Sequence, residues 1–384
     1  MAWEETTRME QKIRFVEEFE SALYTLTELS RRYGISRKTA YKWLHRYGEE
    51  GEAGLQERSR APQTSPTRMS PEVAGLLVEL RRKHPTWGPR KLLAYWQRRE
   101  PDLAWPSAST VGDLLKRQGL VEARRRSRSR KALQRSPLTQ ASAPNDVWTC
   151  DFKGQFRVGD GQLCYPLTVI DGFSRYVLGI QGLDSVSECH SWPVFERLFR
   201  TYGLPRVIRS DNGSPFASTR SLAGLSHLSV RWIKLGIEPE RIQPGRPQQN
   251  GSHERMHKDL KKETARPPAA NRRAQQERFE HFVQVRNLER PHEALGQKIP
   301  ADLYATSPRP YPSRVPEPCY PGHFEVRCVR PTGEIKLRGR LLFLSEALRG
   351  ERVGLEEFDD GLWSLYFAQV LLGRLDERDF QVYG

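Results

Sequence analysis

Residues 146–183 read DVWTCDFKGQFRVGDGQLCYPLTVIDGFSRYVLGIQGL. Three runs within them, DVWTCDFKGQFRV, QLCYPLTVID and SRYVLGIQGL, are rich in β-branched and aromatic residues. Short turns containing Gly or Asp separate the runs, as in a meander of antiparallel strands. The chain then alternates: helix-like 187–202, strand-like 205–210, a Gly/Ser-rich stretch, strand-like 230–234, and a helical stretch that holds Glu254. Three antiparallel strands followed by alternating helices and strands predict a layered α/β sheet.

Three acids in this region have distinctive surroundings. Asp151 lies in VWTCDF among apolar Val147, Cys150 and Phe152, which places it mid-strand on a sheet face or edge. Asp211 opens the turn DNGSPF where a strand ends, and Asn212 and Gly213 permit a sharp exit. Functional groups of α/β sheets gather at the carboxyl ends of strands. Glu254 sits in PGRPQQNGSHERMHKDLKKE at the start of an amphipathic helix, with Arg255, Lys258 and Lys261 on neighbouring faces for phosphate contact. Mg²⁺ seeks oxygen and is held by one or two carboxylates plus substrate phosphates, so acids drawn from distant segments suit phosphoryl transfer. Asp171, in VIDGFSR, is a rival ligand, read here as a turn acid preceding Ser174 and Arg175.

Charge points to the partner. The formal net charge is +15, and residues 1–140 carry 28 Lys+Arg against 17 Asp+Glu. That excess is what a phosphate-binding module needs. Its first part, TELSRRYGISRKTAYKWL, reads as helix, turn, helix: Gly34 takes the tight turn, Ile35 plugs the core and Ser36 caps the next helix. In such a motif the second helix enters the major groove, which makes Arg37, Lys38, Thr39, Lys42 and Arg46 the DNA-facing candidates. A Pro/Ser/Arg-rich linker over 52–70 precedes a second helical unit, in which Ser107 and Ser109 are both candidate caps of the last helix. The tract EARRRSRSRKALQR that follows, with Arg124, Arg125 and Arg126, is too charged to pack and suits a DNA backbone or minor groove.

The carboxy-terminal 323–384 are rich in short β runs punctuated by turn residues, as in a small barrel. Five cysteines without a CxxC pair imply a reducing compartment and no disulfide framework. No stretch reaches 18 apolar residues, and the charged amino terminus lacks a secretory pattern, so a cytoplasmic protein with no membrane partner is expected. The expected organisation is a helix-turn-helix domain (1–55), a second helical domain (68–121), a basic linker (122–140), a ribonuclease-H-like core (141–306) and a small β barrel (320–384).

TCDF, VIDGFSR, SDNGSPF, PGRPQQNGSHERMHKDLK and the later RNLERPHEALGQKIPADLY resemble the integrase-core DDE transposases of bacterial insertion sequences, relatives of retroviral integrases, over about 146–304. The resemblance implies Asp151, Asp211 and Glu254 as catalytic metal ligands for two Mg²⁺ ions, with Mn²⁺ able to substitute. It further implies cleavage and strand transfer at the ends of an element and into target DNA, by a homo-oligomer on double-stranded DNA. The 42 residues between Asp211 and Glu254 exceed the family's usual spacing, so SLAGLSHLS is read as an inserted loop or lengthened helix.

Two other readings compete. The string His253, Glu254, Arg255, Met256, His257 matches H-E-x-x-H, a zinc-protease motif that would need a third ligand such as Glu277 or Glu280. A sequence-specific DNA-binding regulator with an inactive nuclease-like core is the other. The protease reading leaves Asp151, Asp211 and the basic helical units without a role.

Overall fold

The computed structural model describes residues 7–58, 69–121, 138–218, 221–243 and 247–383. The candidates Arg124, Arg125 and Arg126 lie outside them. The chain divides into two compact units, the first ending at Met69 and the second running from Ser70.

The first unit is helical: α1 (Arg8–Glu20), α2 (Leu26–Arg32) and α3 (Arg37–Glu50). Thr7 and Thr25 each form a capping box, and the Ser36 hydroxyl accepts from the Thr39 N–H to start α3, which satisfies amides that would otherwise be orphaned. Gly34 holds φ +62° in the turn between α2 and α3, a backbone glycine adopts without a Cβ penalty. Phe15, Val16, Leu29, Ala40, Trp43 and Leu55 form the core. Burying Ala40 and Trp43 turns the opposite face of α3 outward.

The second unit opens with α4 (Pro71–Lys83), α5 (Pro89–Arg99) and α6 (Ala108–Arg117). Ser107, not Ser109, caps α6. Next come β1 (Val147–Phe152), β2 (Phe156–Arg157), β3 (Leu163–Asp171), β4 (Val177–Leu183), α7 (Glu188–Tyr202), β5 (Val207–Ser210), α8 (His227–Lys234), β6 (Glu238–Arg241), α9 (Gly251–Thr264) and α10 (Arg272–Leu288). β4, β3 and β1 pair antiparallel, while β1, β5 and β6 pair parallel. The sheet therefore runs β4-β3-β1-β5-β6, with β1 central.

Alternation along the strands assigns the two faces. Trp148, Cys150, Leu167 and Val169 pack with Phe195 and Phe199 of α7 and with Leu228 and Trp232 of α8. Ile170, Val177 and Ile180 pack with Met256 and Leu260 of α9 and with Phe279 and Phe282 of α10. Thr149 and Asp151 alternate with the first set, so they face the α9–α10 side.

The strand expected over 230–234 is instead part of α8, whose Ser226 N-cap pairs with Ser229. The alternating pattern has a physical origin. Leu228 and Trp232 enter the sheet core, whereas Val230 and Ile233 enter a second core below the carboxy-terminal sheet, so the helix is apolar on two sides. β6, EPER, escaped the sequence reading because it is a polar edge strand carrying a proline, where proline is tolerated.

The small β fold at the carboxy terminus comprises β7 (Glu325–Cys328), β8 (Glu334–Leu337), β9 (Arg340–Phe343), β10 (Arg352–Asp359), β11 (Leu362–Phe367), β12 (Val370–Asp376) and β13 (Gln381–Tyr383). β7 and β10–β13 form a five-stranded antiparallel sheet, and β8–β9 a hairpin. Leu337, Leu342, Val353, Trp363 and Leu365 share one core with Leu225, Val230 and Ile233. The Leu222 N–H donates to Leu344 O (3.1 Å), and Lys234 donates to both oxygens of Glu351 (2.9 and 3.0 Å). The long connection between Asp211 and Glu254 is thus the seat of the carboxy-terminal fold. Among the described residues no helix is long and apolar enough to cross a membrane.

Candidate active site

The register of β1 on β5 pairs Val147 with Val207 and Thr149 with Arg209. Carried two residues further, it sets Asp211 beside Asp151. Neighbouring strands lie about 4.8 Å apart, and residues in register share a face, so both carboxylates emerge together at the carboxyl edge of the central pair. The Gly213 N–H donates to Asp211 Oδ1 (3.1 Å) and the Asn212 amide to Ile242 O (2.6 Å). This turn fixes Asp211 at the strand exit. A Cβ on Gly213 would lie 3.2 Å from Asp211 Oδ2, which is why the position suits glycine.

Glu254 stands in the first turn of α9, exposed. Buried Met256 and Leu260 hold that helix against the sheet. The electrostatics report the convergence of the acids. Burial first, then the Asp211 carboxylate and more weakly Glu254, together push the Asp151 carboxyl up to about 7, against the Phe152 backbone hydrogen bond and Lys153, which lower it. The Cys150 thiol, fully buried, is raised by desolvation and then by Asp151 and Asp211. Like charges crowded in a desolvated site disfavour ionisation.

Asp151 also has a neutral neighbour. The Thr168 hydroxyl donates to Asp151 O (2.9 Å) and lies 2.8 Å from His257 Nε2. A hydroxyl that gives its proton to a carbonyl accepts from the imidazole, so Nε2 carries the hydrogen and Nδ1 presents its lone pair. Nδ1 lies 3.7 Å from Asp151 Oδ2. Burial, then Lys153 and Arg286, lower the His257 pKa to about 3, so this approach joins a neutral ring to the carboxyl and is not an ion pair.

Among the described residues no three His, Cys, Asp or Glu side chains close into a formed metal cage. The donor set nevertheless fits a hard divalent cation: three carboxylates, all oxygen, one of them raised by burial and by its acidic neighbours. The H-E-x-x-H alternative does not fit. His253 Nδ1 lies 3.1 Å from Asn250 Oδ1, and His257 is committed to Thr168. Glu277 and Glu280 are exposed on α10, bound to Arg273 and Gln276. Asp171 is fully buried and accepts from the Asn145 N–H, the Ser174 N–H and the Ser174 hydroxyl. It is the turn acid expected.

The basic candidates separate into groups. On a helix of 100° per residue, Lys258 and Lys261 lie within about 40° of Glu254, whereas Arg255 lies about 100° away. Lys153, which the sequence reading did not single out, is half-buried, and its pKa is lowered by burial and by Lys261 while Asp151 opposes the shift. Its proximity to Asp151 in the sequence was the available signal. On α3, Arg37, Lys38 and Lys42 are exposed while Thr39 and Arg46 are half-buried. Lys42 and Arg46 lie 4.6 and 5.4 Å from the Trp43 ring centre, which orders them. Tyr41, 57% exposed on the same helix, was missed; a large aromatic on a solvated basic helix was its signal.

Comparison with known proteins follows this layout. The helix-turn-helix domain family matches residues 11–63 and a homeodomain-like domain family residues 39–115. Two integrase core domain families match 141–247 and 235–300. The IS481 family transposase C-terminal domain matches 324–382. A 31.7 kDa protein of insertion element IS407 from Burkholderia multivorans is 28% identical over 61% of this chain and 80% of its own length. A 39.2 kDa protein of insertion element IS476 from Xanthomonas euvesicatoria is 27% identical over 71% of this chain and 76% of its own length. A chain of the simian T-cell lymphotropic virus intasome superposes with a TM-score of 0.38 and 16% identity, covering 77% of this chain and 97% of that one.

Proposed function

We propose, for a chain that belongs to the integrase-core transposases of insertion sequences, that Asp151, Asp211 and Glu254 are the residues with which it performs Mg²⁺-dependent DNA end cleavage and strand transfer. The observation that carries this assignment is the register that sets Asp211 beside Asp151 at the carboxyl edge of β1 and β5, where both Asp211 and Glu254 act to raise the Asp151 carboxyl. Asp151 and Asp211 would hold the divalent ions with Glu254. When bound, two such ions stabilise the entering and leaving oxygens of a phosphodiester.

The chain's own residues supply the rest. β1 and β5 fix two carboxylates rigidly, and α9 brings the third. His257, neutral and hydrogen-bonded to Thr168, fills the space behind Asp151 without adding charge. Asp151 is the acid whose proton must leave when a cation arrives. Lys153, Lys258 and Lys261 set positive charge on the side from which a phosphate backbone would approach. Arg37, Lys38, Thr39, Lys42 and Arg46 suit contact with the element ends, and Arg255 a DNA phosphate, while assembly as a homo-oligomer on paired ends and a cytoplasmic setting follow from this reading.

The test is strand transfer on labelled end DNA with Mg²⁺ or Mn²⁺, comparing wild type with Asp151→Asn, Asp211→Asn, Glu254→Gln and Asp171→Asn. Loss in the first three with end binding retained is expected. Full activity of Glu254→Gln would remove it from the site, and a wild-type protein that binds ends yet never joins them would be a DNA-binding regulator instead.

A further inference from the structure

α9 has a second polar face. Arg255, Asp259 and Glu263 follow one another at i, i+4 and i+8, about 100 to 180° around the helix from Glu254. This face meets the end of α10 and one side of α5. Arg290, 4% exposed, gives Nη2 to Asp259 Oδ2 (2.7 Å) and Nη1 to Glu263 Oε1 (3.3 Å). Arg286, 6% exposed, sets Nη1 3.6 Å from the same Asp259 oxygen. Thr86, in the turn before α5, donates to Glu263 Oε1 (2.8 Å). Both acids are thereby taken up by Arg286 of α10, Arg290 just past its end, and Thr86.

Positive charge is left over. Lys91 of α5 is half-buried and makes no hydrogen bond or ion pair with any described residue. Three guanidiniums, those of Arg290, Arg286 and Arg255, act on it from nearby against one carboxylate, Asp259. Arg286 Nε, Arg290 Nε and His292 Nε2 are buried without a hydrogen-bond partner, and Arg286 Nη1 has only its 3.6 Å approach to Asp259. His292 belongs to the same group, since Arg286, Lys91 and Arg290 all act on it. Buried donors without acceptors and buried cations without counter-charge are both costly. An anion rich in acceptor oxygens relieves both. At the rim Arg255 is exposed, and Arg90, with its side chain 73% exposed, pairs with Glu293 Oε1 at 3.4 Å.

We infer that the cluster between α5, α9 and α10 binds a phosphate group, with Lys91 and Arg255 supplying charge and the unpaired guanidinium N–H groups supplying hydrogen bonds. A phosphodiester of bound DNA and a free phosphoanion present the same chemistry, and only the first source rests on the transposase reading. A phosphate seated there ties the helix bearing Glu254 to the helical unit that opens at Ser70. Occupancy of the one then steadies the other.

The experiment uses the full chain in EDTA, which keeps the acidic site free of cations. Inorganic phosphate and pyrophosphate are titrated calorimetrically into wild type, Lys91→Gln, Lys91→Arg and Arg255→Gln. The same proteins are measured against an end duplex and a scrambled duplex across a salt series. Saturable phosphate binding is expected in wild type, weakened roughly tenfold by Lys91→Gln and Arg255→Gln and kept by Lys91→Arg, as for loss of one charge-assisted bond. If DNA is the source, Lys91→Gln weakens both duplexes alike and lowers the salt slope by about 1. Phosphate binding with an unchanged slope assigns the site to a free phosphoanion. Lack of phosphate binding by folded wild type, together with unchanged DNA affinity in Lys91→Gln and Arg255→Gln, overturns the inference and leaves a clamp between helices. Failure of every protein to bind DNA while phosphate still binds would sink the transposase reading and spare this one.

Discussion

Replacing Asp151 with Asn should stabilise the metal-free protein, which is the opposite of what core or sheet substitutions do. The Asp151 carboxyl is raised from an ordinary 3.8 to about 7. Its folded value exceeds its unfolded value, so its contribution is fully present below about pH 4 and is lost as pH climbs to 7. At about 1.36 kcal/mol per pH unit the ceiling is about 4 kcal/mol. Asn keeps the shape and removes the charge, so the variant should match wild type near pH 4 and exceed it increasingly up to pH 7. Over the unit from Ser70 to Gly384, at about 2.1 cal/mol/K per residue, the ceiling corresponds to a rise of about 6 °C in melting temperature. Thermal melts in EDTA from pH 4.5 to 8 read the difference directly. Taking the difference matters, because buried neutral His253, His257 and His292 have lowered values and make both proteins lose stability as pH falls below 6.5. Added Mg²⁺ should then raise wild type and leave the variant behind. An Asn variant that melts at or below wild type at pH 8 in EDTA would refute the raised Asp151 carboxyl on which this reasoning stands.

Further outcomes follow from the same geometry. Binding of Mn²⁺ to wild type at pH 6 should release close to one proton, seen as a dependence of calorimetric heat on buffer ionisation, and the release should vanish in Asp151→Asn. Ile233→Ala opens a cavity beneath the carboxy-terminal sheet and should cost about 2–5 kcal/mol, with proteolysis of residues past 319 rising before that of the catalytic sheet. Ser36→Ala removes the cap of α3 and should cost about 1 kcal/mol in chemical denaturation of the amino-terminal unit; an unchanged midpoint would contradict the cap. Arg37→Ala and Lys38→Ala should each lower the salt slope of end binding by about 1 if they meet phosphates, and leave it unchanged if they meet bases alone.

What could be read in advance was local. Each acid lies in a motif that states its own backbone: a strand before Asp151, a sharp exit at Asp211, a helix start at Glu254. The cap at Ser36, the turn at Gly34 and the turn acid Asp171 are likewise settled within a few residues of themselves. Register was not legible, because the offset that sets Asp211 beside Asp151 depends on how β5 docks parallel to β1. Thr168 and His257 were invisible as a pair, since 89 residues separate them and a histidine in H-E-x-x-H suggests a metal before it suggests a threonine. The α8 segment misled because a helix packed between two cores loses the single apolar stripe that marks most surface helices. The Lys91 cluster drew residues from three helices, each of which alone resembles a solvated face.

The most direct test of the central claim is an anomalous difference map from crystals grown with Mn²⁺. The account predicts metal density with carboxylate oxygens of Asp151, Asp211 and Glu254 at roughly 2.1 Å, the range of a hard divalent ion. Metal seated at His253 and His257, or none near β1 and β5, would contradict it.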